Sequence, residues 1–341
     1  MQPNLPNEIL SHIISRIPTD NEYHRLHTAS LRHLAQVRLV CRLWNEIATK
    51  HMFHTVTLFH STERIFEDFG YWQELIDVVS VRKAARRVAI ESGQEYDGGG
   101  ISYEDWPVSW VEHGKWPGFE SAINRICDLP NLEAIEVRFT ESCVGRNANG
   151  EPAAPNSQYN VEPETATTRF HTLRSVVRAT KERASRPNTT VIRELVLENL
   201  QNMALTKDIA HDPFHNIQRL HIKILSENYA NMWSRERRPD LIHREELREF
   251  PHYLQNTLLP SVADQLVELT ISGKHWGGIP GEFNGNGLSF PKLKALTLDG
   301  LDILRQDQFD WVLEQKSLTI LHLHNCTIAT HCLVQQPEFA L

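Results

Sequence analysis

The chain has 341 residues, 40% hydrophobic and 23% charged, which is ordinary for folded protein and enough for one large domain beside a small one, or for an elongated repeat array. Its formal net charge of −8 and pI near 6.1 exclude generic nucleic-acid binding, which needs a dense basic surface, while leaving room for a local basic patch. Cys41, Cys127, Cys143, Cys326 and Cys332 are odd in number and irregular in spacing, so they predict buried thiols in a reducing compartment rather than a disulfide framework. No apolar run approaches the roughly 18 residues that span a membrane. No charged segment followed by an apolar stretch opens the chain, so no leader is expected and the expected location is cytoplasmic or nuclear.

The first element starts at Leu5-Pro6-Asn7-Glu8. Proline suits the first helical position and an early glutamate suits the helix dipole. Ile9, Leu10, Ile13, Ile14 and Ile17 recur at helical spacing, and Pro18 ends the run. A polar stretch from Thr19 to Ser30 follows. Leu34, Val37, Cys41, Trp44 and Ala48 then step by three and four, predicting a second helix over Leu31–Ala48. Leu39, Val40, Leu43 and Ile47 widen its apolar face. Two short helices with such wide faces cannot bury everything against each other, so another surface must cover the rest.

These residues resemble an F-box motif: a Leu-Pro, an acidic residue, an aliphatic helix, a proline stop, then a Val-Cys-x-x-Trp helix. The trailing segment with Phe53, Val56 and Leu58 is similar to the strand that often leaves that motif. The segment between Pro18 and Leu34 is longer than the usual connection and reads as an inserted loop, which costs little in closure entropy. The resemblance implies an F-box domain at 1–60 that binds a Skp-type adaptor and, through it, a cullin scaffold. Carried over residue by residue, it places Leu5, Pro6, Ile9, Leu10, Ile13, Val40, Cys41 and Trp44 at the adaptor contact.

Beyond residue 60 the pattern L-x-x-L-x-L, with aliphatics allowed, recurs. Copies are Leu132/Ile135/Val137, Ile192/Leu195/Leu197, Ile217/Leu220/Ile222, Leu266/Leu269/Ile271, Leu293/Leu296/Leu298 and Leu318/Leu321/Leu323, with a weaker one at Ala85/Val88/Ile90. Three steps between copies are 25, 27 and 25 residues, and the others are roughly doubled. A period near 25 is that of leucine-rich repeats. Helical patterns lie between copies: Phe170, Leu173, Val177 and Thr180; Phe250, Leu254, Leu258 and Val262, with Pro251 expected near the first turn; and Phe309, Val312 and Leu313. The expected fold is α/β: a small helical F-box, then an irregular leucine-rich-repeat solenoid over 61–341, with parallel strands on one face and helices on the other. The pairing of the two modules resembles divergent fungal-type members of the F-box family. Residues 329–341 are the candidate cap of the solenoid end.

Three long loops, 92–118, 141–164 and 273–289, interrupt the array. The first and third are rich in glycine and aromatics, suited either to recognition or to covering the flank. His322, His324, Cys326, His331 and Cys332 form a tempting metal cluster. The repeat assigns Cys326 to the core and both strand histidines to the opposite face, so no metal is assigned. The glycine-rich loops match no phosphate-binding pattern, and no catalytic residue or cofactor is assigned. The outward strand positions Arg87, Glu136, Arg138, Glu194, Arg219, His221, Lys223, Glu268, His322 and His324 form the candidate substrate surface, polar and mixed in sign.

The expectation is therefore a non-enzymatic substrate receptor of a ubiquitin ligase, with an unknown protein as target and neither nucleic acid nor membrane as partner. Two other readings stand beside it: an interaction module without a degradative role, and a ligand- or metal-binding repeat protein.

Overall fold

The computed structural model describes residues 6–17, 28–59, 69–92, 107–113, 115–140, 143–144, 164–205, 216–226, 245–274, 276–278, 281–305 and 307–328. Pro6 lies just before helix α1 (Asn7–Ser15), and its carbonyl accepts the first helical bond, from the Leu10 N–H at 3.1 Å. Helices α2 (Thr28–Val37) and α3 (Arg42–Met52) follow. Leu10 and Ile14 of α1, Leu34 of α2, and Ile47 and Ala48 of α3 close a small core of their own, with Trp44 and Val37 against it.

The single helix expected over Leu31–Ala48 is therefore two. Arg38 to Val40 form a turn, and Cys41 takes an extended backbone (φ −163°, ψ 173°) just before α3. Val40 and Cys41 are weak helix formers. In a straight helix Leu34 and Ile47 would stand about 20 Å apart, whereas the turn brings both into one core.

Strand β1 (Thr55–Leu58) leaves this helical unit and enters a larger sheet. Its partners are β2 (Arg87–Glu91), β3 (Ala134–Arg138), β6 (Glu194–Gln201), β7 (Arg219–Leu225), β8 (Glu268–Gly273), β9 (Ala295–Asp299) and β11 (Ile320–His324). The eight strands pair in the order of the chain, and every pair is parallel. Parallel neighbours need crossover connections of one hand, so a strictly sequential order sends every crossover over the same face. Helices α4 (Gly70–Asp77), α5 (Val79–Ala84), α6 (Val108–His113), α7 (Pro117–Asn124), α8 (Ala166–Ala184), α9 (Glu245–Tyr253) and α10 (Asp307–Leu313) occupy these connections. Two short parallel pairs stand apart: β4 (Cys143–Val144) with β5 (Glu164–Thr165), and β10 (Asp302–Ile303) with β12 (Thr327–Ile328).

Each strand read from the sequence is present. Val88 and Ile90, Ile135 and Val137, Leu195 and Leu197, Leu220 and Ile222, Leu269 and Ile271, and Leu296 and Leu298 point into one continuous apolar core. Leu173, Val176 and Val177 of α8 meet the β3 and β6 members of that set. Leu321 and Leu323 keep the same phase on β11 but are exposed, because β11 is the last strand of the order.

Two details differ from expectation. Pro251 sits inside α9, and the chain then widens into a π-helical turn over Leu254–Leu258. Proline removes one helical hydrogen bond, to the carbonyl four residues earlier, and crowds the preceding turn. On α10 the buried residues are Gln308, Trp311 and Val312, while Leu313 faces out.

Buried charge ties the connections to the sheet. The guanidinium of Arg183, at the end of α8, donates to the carbonyls of Leu129, Pro130, Leu132 and Thr190. At the other end of α8, buried Arg169 pairs with buried Glu164 at 3.3 Å and donates to the carbonyls of Thr140 and Asn199. Asn199 adopts a left-handed backbone (φ 58°) at the bulge of β6. Where β8 and β9 end, Gly273 (φ 133°) and Gly300 (φ 73°) stack: a Cβ on Gly300 would strike the Gly273 carbonyl. Only glycine takes both that backbone and that approach without strain.

Candidate docking surfaces

The sheet face opposite the helices carries all ten of the outward residues singled out in the sequence. Register orders them in rows across the strands. Arg87, Ala134, Glu194, Arg219, Glu268 and Ala295 form one row. Glu136, Val196, His221, Thr270, Thr297 and His322 form the next.

These charges are largely spent on one another. Arg87 bonds Glu136 at 3.2 Å and also Glu194; Glu194 accepts from Arg219 at 3.0 Å. Arg138 holds Glu136 at 2.5 Å and Glu91 at 3.4 Å. Lys223 meets Glu198 at 3.5 Å, and His221 lies 3.7 Å from Glu268. Glu136 and Glu194 are buried beneath their partners. Burial alone would push the Glu194 carboxyl up, but the two guanidinium groups outweigh it and hold its pKa below the ordinary carboxylate value. Toward β8 and β9 the face changes to small groups, Thr270, Thr297 and Ala295. It ends in the exposed His322 and His324 of β11, whose rings stack with centroids 6.0 Å apart.

The helical unit presents the opposite chemistry. Its five-residue core leaves Ile9 47%, Ile13 49%, Val40 61% and Leu39 85% exposed, with Leu31, Leu43, Pro6 and Cys41 also facing outward. Such a set of aliphatics on three short helices is a surface made to be covered. Among the residues expected at the adaptor contact, Pro6, Ile9, Ile13, Val40 and Cys41 are exposed and Trp44 is half-buried. Leu10 is buried in the unit's own core, because α1 turns it toward Leu34 and Ile47. Leu5 lies outside the described residues. Leu39 and Leu43 belong to the exposed set, and their apolar character beside Val40 was the only sequence sign of it. Residues 2–58 match the F-box-like family model. The chain carries an F-box-like domain there. No curated protein matches the chain.

The F-box-like domain is fastened to the sheet without a free linker. The His54 carbonyl accepts the N–H groups of Arg86 and Arg87 at 2.9 and 3.0 Å, just before β1 pairs with β2. Helix α3 also contacts α5.

The aromatic residues of the long loops serve the core wherever they are described. Trp110, Trp116, Phe119 and Phe69 form one buried cluster, and Trp276, Phe283, Phe290 and Trp311 form another. Gly285 is packed so closely on Trp311 that a Cβ would strike the indole. The loop residues 93–106, Gly114, 141–142, 145–163, His275 and 279–280 lie outside the described residues. Cys326 packs against the core, its thiol within hydrogen-bond reach of the Leu298 carbonyl at 3.4 Å and the His324 carbonyl at 3.3 Å. His331, Cys332 and the candidate cap 329–341 lie outside the described residues. Among the described residues no helix is long and apolar enough to cross a membrane, and no group of three or more His, Cys, Asp or Glu side chains could hold a metal ion.

Proposed function

We propose that the chain is the substrate receptor of a Skp–cullin–F-box ubiquitin ligase. In this reading the F-box-like domain docks on a Skp-type adaptor through Pro6, Ile9, Ile13, Leu39, Val40, Cys41 and Leu43, and the sheet holds a protein target. The observation that carries it is the uncovered aliphatic face of the F-box-like domain. The sheet fits an irregular leucine-rich-repeat array. Its strands follow one another in parallel, recur at 25–27 residues where the connections are short, and keep aliphatic residues, mostly leucine or isoleucine, at the positions that the repeat pattern requires. Catalysis is then supplied in trans, by raising the effective concentration of target lysines near a conjugating enzyme. The chain contributes positioning and needs no reactive side chain of its own.

The test is co-purification of the full chain with a Skp-type adaptor. Val40→Asp and Leu39→Asp should abolish it while the thermal melt stays close to that of the parent. An adaptor that binds the charged variants as well as the parent would refute the docking face.

A further inference from the structure

The paired charges of the sheet face contrast with a pocket at the opposite end of the strands, where they begin. A cleft of about 260 Å³ opens there between α5 and the turn joining α8 to β6. Arg82 and Lys83 of α5 and Arg186 of the turn line it. Its one acidic group, Asp128, is already held on both oxygens, by Arg125 at 2.6 Å and Arg186 at 3.1 Å. Arg186 is shared further with Glu182 at 2.9 Å. Arg82 and Lys83 have no side-chain hydrogen bond or ion pair among the described residues. Two cations on adjacent residues of one short helix repel each other. In a chain of net charge −8 they form a local positive site that no described carboxylate pairs.

The rim adds a second chemistry. Val79, 52% exposed, and Pro130 and Pro187 border the same cleft, and Val78, 47% exposed, precedes Val79. An aliphatic shelf beside two unpaired cations suits a segment that carries an anion next to an apolar side chain. A polyphosphate backbone fits less well, because it needs a run of cations and meets an acidic protein. The cleft has room for a single side chain, not for a cofactor-sized ligand.

We propose that this pocket seats an acidic side chain of the protein target, its carboxylate or phosphate on Arg82 and Lys83 and a neighbouring aliphatic residue on Val79. The proposal rests on the reading that the chain receives a protein target. It moves the specific contact from the ion-paired sheet face to the edge beside the F-box-like domain. Helix α5 touches α3 on one side and lines the pocket on another, so a segment seated there lies close to the F-box-like domain.

The experiment uses the full chain in complex with a Skp-type adaptor and fluorescein-labelled degenerate nonapeptide pools. The pools have fixed centres Val-Glu-Glu, Val-phosphoserine or Val-Ser, and binding is read by fluorescence anisotropy. Both anionic pools should bind above the neutral one, and binding should weaken as salt rises from about 50 to about 300 mM. Arg82→Glu with Lys83→Glu should lower the affinity by at least about tenfold while adaptor co-purification is retained. Comparison of the two anionic pools tells carboxylate from phosphate. The proposal falls if the three pools bind alike, if the double variant binds like the parent, or if single-stranded RNA displaces the peptides at lower concentration than unlabelled peptide does. It also falls if the free chain binds the anionic pools and the adaptor complex does not, since the pocket would then belong to the adaptor. Loss of adaptor binding by the parent chain would instead count against the ligase reading alone.

Discussion

Arg87 and Glu194 are two strands apart, on β2 and β6, yet their side chains meet directly across Ala134 of the intervening β3. Two strand spacings are about 10 Å, within reach of an extended arginine only if the residue between is small. The bridge therefore depends on a methyl group in the middle. Ala134→Leu should break it and cost about 1–3 kcal/mol by overpacking, whereas Ala134→Ser should be close to neutral. Arg87→Met should cost about 1–2 kcal/mol, less than for a fully buried pair, because Arg219 still faces the carboxylate. Urea denaturation of the three variants checks the order. Equal stability of the leucine and serine variants would show that the bridge is not under steric control.

The two regions should loosen at different acidity. Burial, and to a lesser degree neighbouring Lys50, hold His51 of α3 below its ordinary 6.5, against the opposing hydrogen bond with the Ser11 backbone. A depressed histidine keeps the native state neutral, so its contribution is full above pH 6.5 and is lost as pH falls through the folded value. Glu194 is also depressed, from 4.5, so its contribution is full above 4.5 and is lost only below it. Hydrogen exchange of α3 amides, corrected for intrinsic rates, should accelerate in weak acid before exchange in β6 does. His51→Gln should remove the first change and Glu194→Gln should blunt the second. Simultaneous loosening of both segments would contradict this assignment.

Leu10 and Val40 separate folding from docking. Leu10 is enclosed by the small core of the F-box-like domain, so Leu10→Ala should cost about 2–5 kcal/mol of that unit's stability. Val40 is largely exposed, and Val40→Asp should change stability by no more than about 0.5 kcal/mol. Circular dichroism of residues 1–60 within the full chain is masked by the sheet, so exchange of α1 and α3 amides is the suitable readout. Comparable loosening by both substitutions would place Val40 in the core after all.

Arg183 ties the turn between α8 and β6 to the segment before β3 through four carbonyls that, among the described residues, no other side-chain cation reaches. Arg183→Met removes the donors and leaves the Leu129 and Thr190 carbonyls without them, while Pro130 and Leu132 keep Thr190, at a cost of about 3 kcal/mol. Arg183→Lys should recover only a part, since an ammonium lacks the planar fork. A lysine variant as stable as the parent would mean that charge, rather than geometry, does the holding. Gly300→Ala meets both a left-handed backbone and the Gly273 carbonyl, and should cost at least about 2 kcal/mol. A melt within a degree of the parent would show that β9 and its neighbours shift freely at that end.

The strands were legible because a parallel strand repeats leucine or isoleucine at alternate positions. Ile135, Leu197, Ile222 and Leu298 could therefore be placed on one face before any pairing was known. Register was not legible, and the meaning of the charges depended on it. Arg87 and Glu194 are separated by 107 residues, and nothing local says that Ala134 lies between them. The break at Cys41 was hidden because a turn between two helices can preserve the same three-and-four spacing. The tryptophans of the loops left recognition and flank covering both open, because glycine-rich surroundings suit either, whereas the glycine packed on Trp311 serves close packing. The pocket of Arg82, Lys83 and Arg186 gave no sign at all. Its three cations come from two segments about a hundred residues apart in an acidic chain.

Strand β1 begins where α3 ends, so the F-box-like domain opens the sheet as its first member. Each further strand adds about 4.8 Å, and β11 is the eighth in line. Position along the sheet is then a graduated scale with its zero at the F-box-like domain, reaching about 34 Å at the last mark. Two ligands gripping different strands would be held at different, reproducible ranges from whatever covers Ile9 and Val40. An inserted or deleted strand with its connection between them would change that range by a fixed increment without altering either grip.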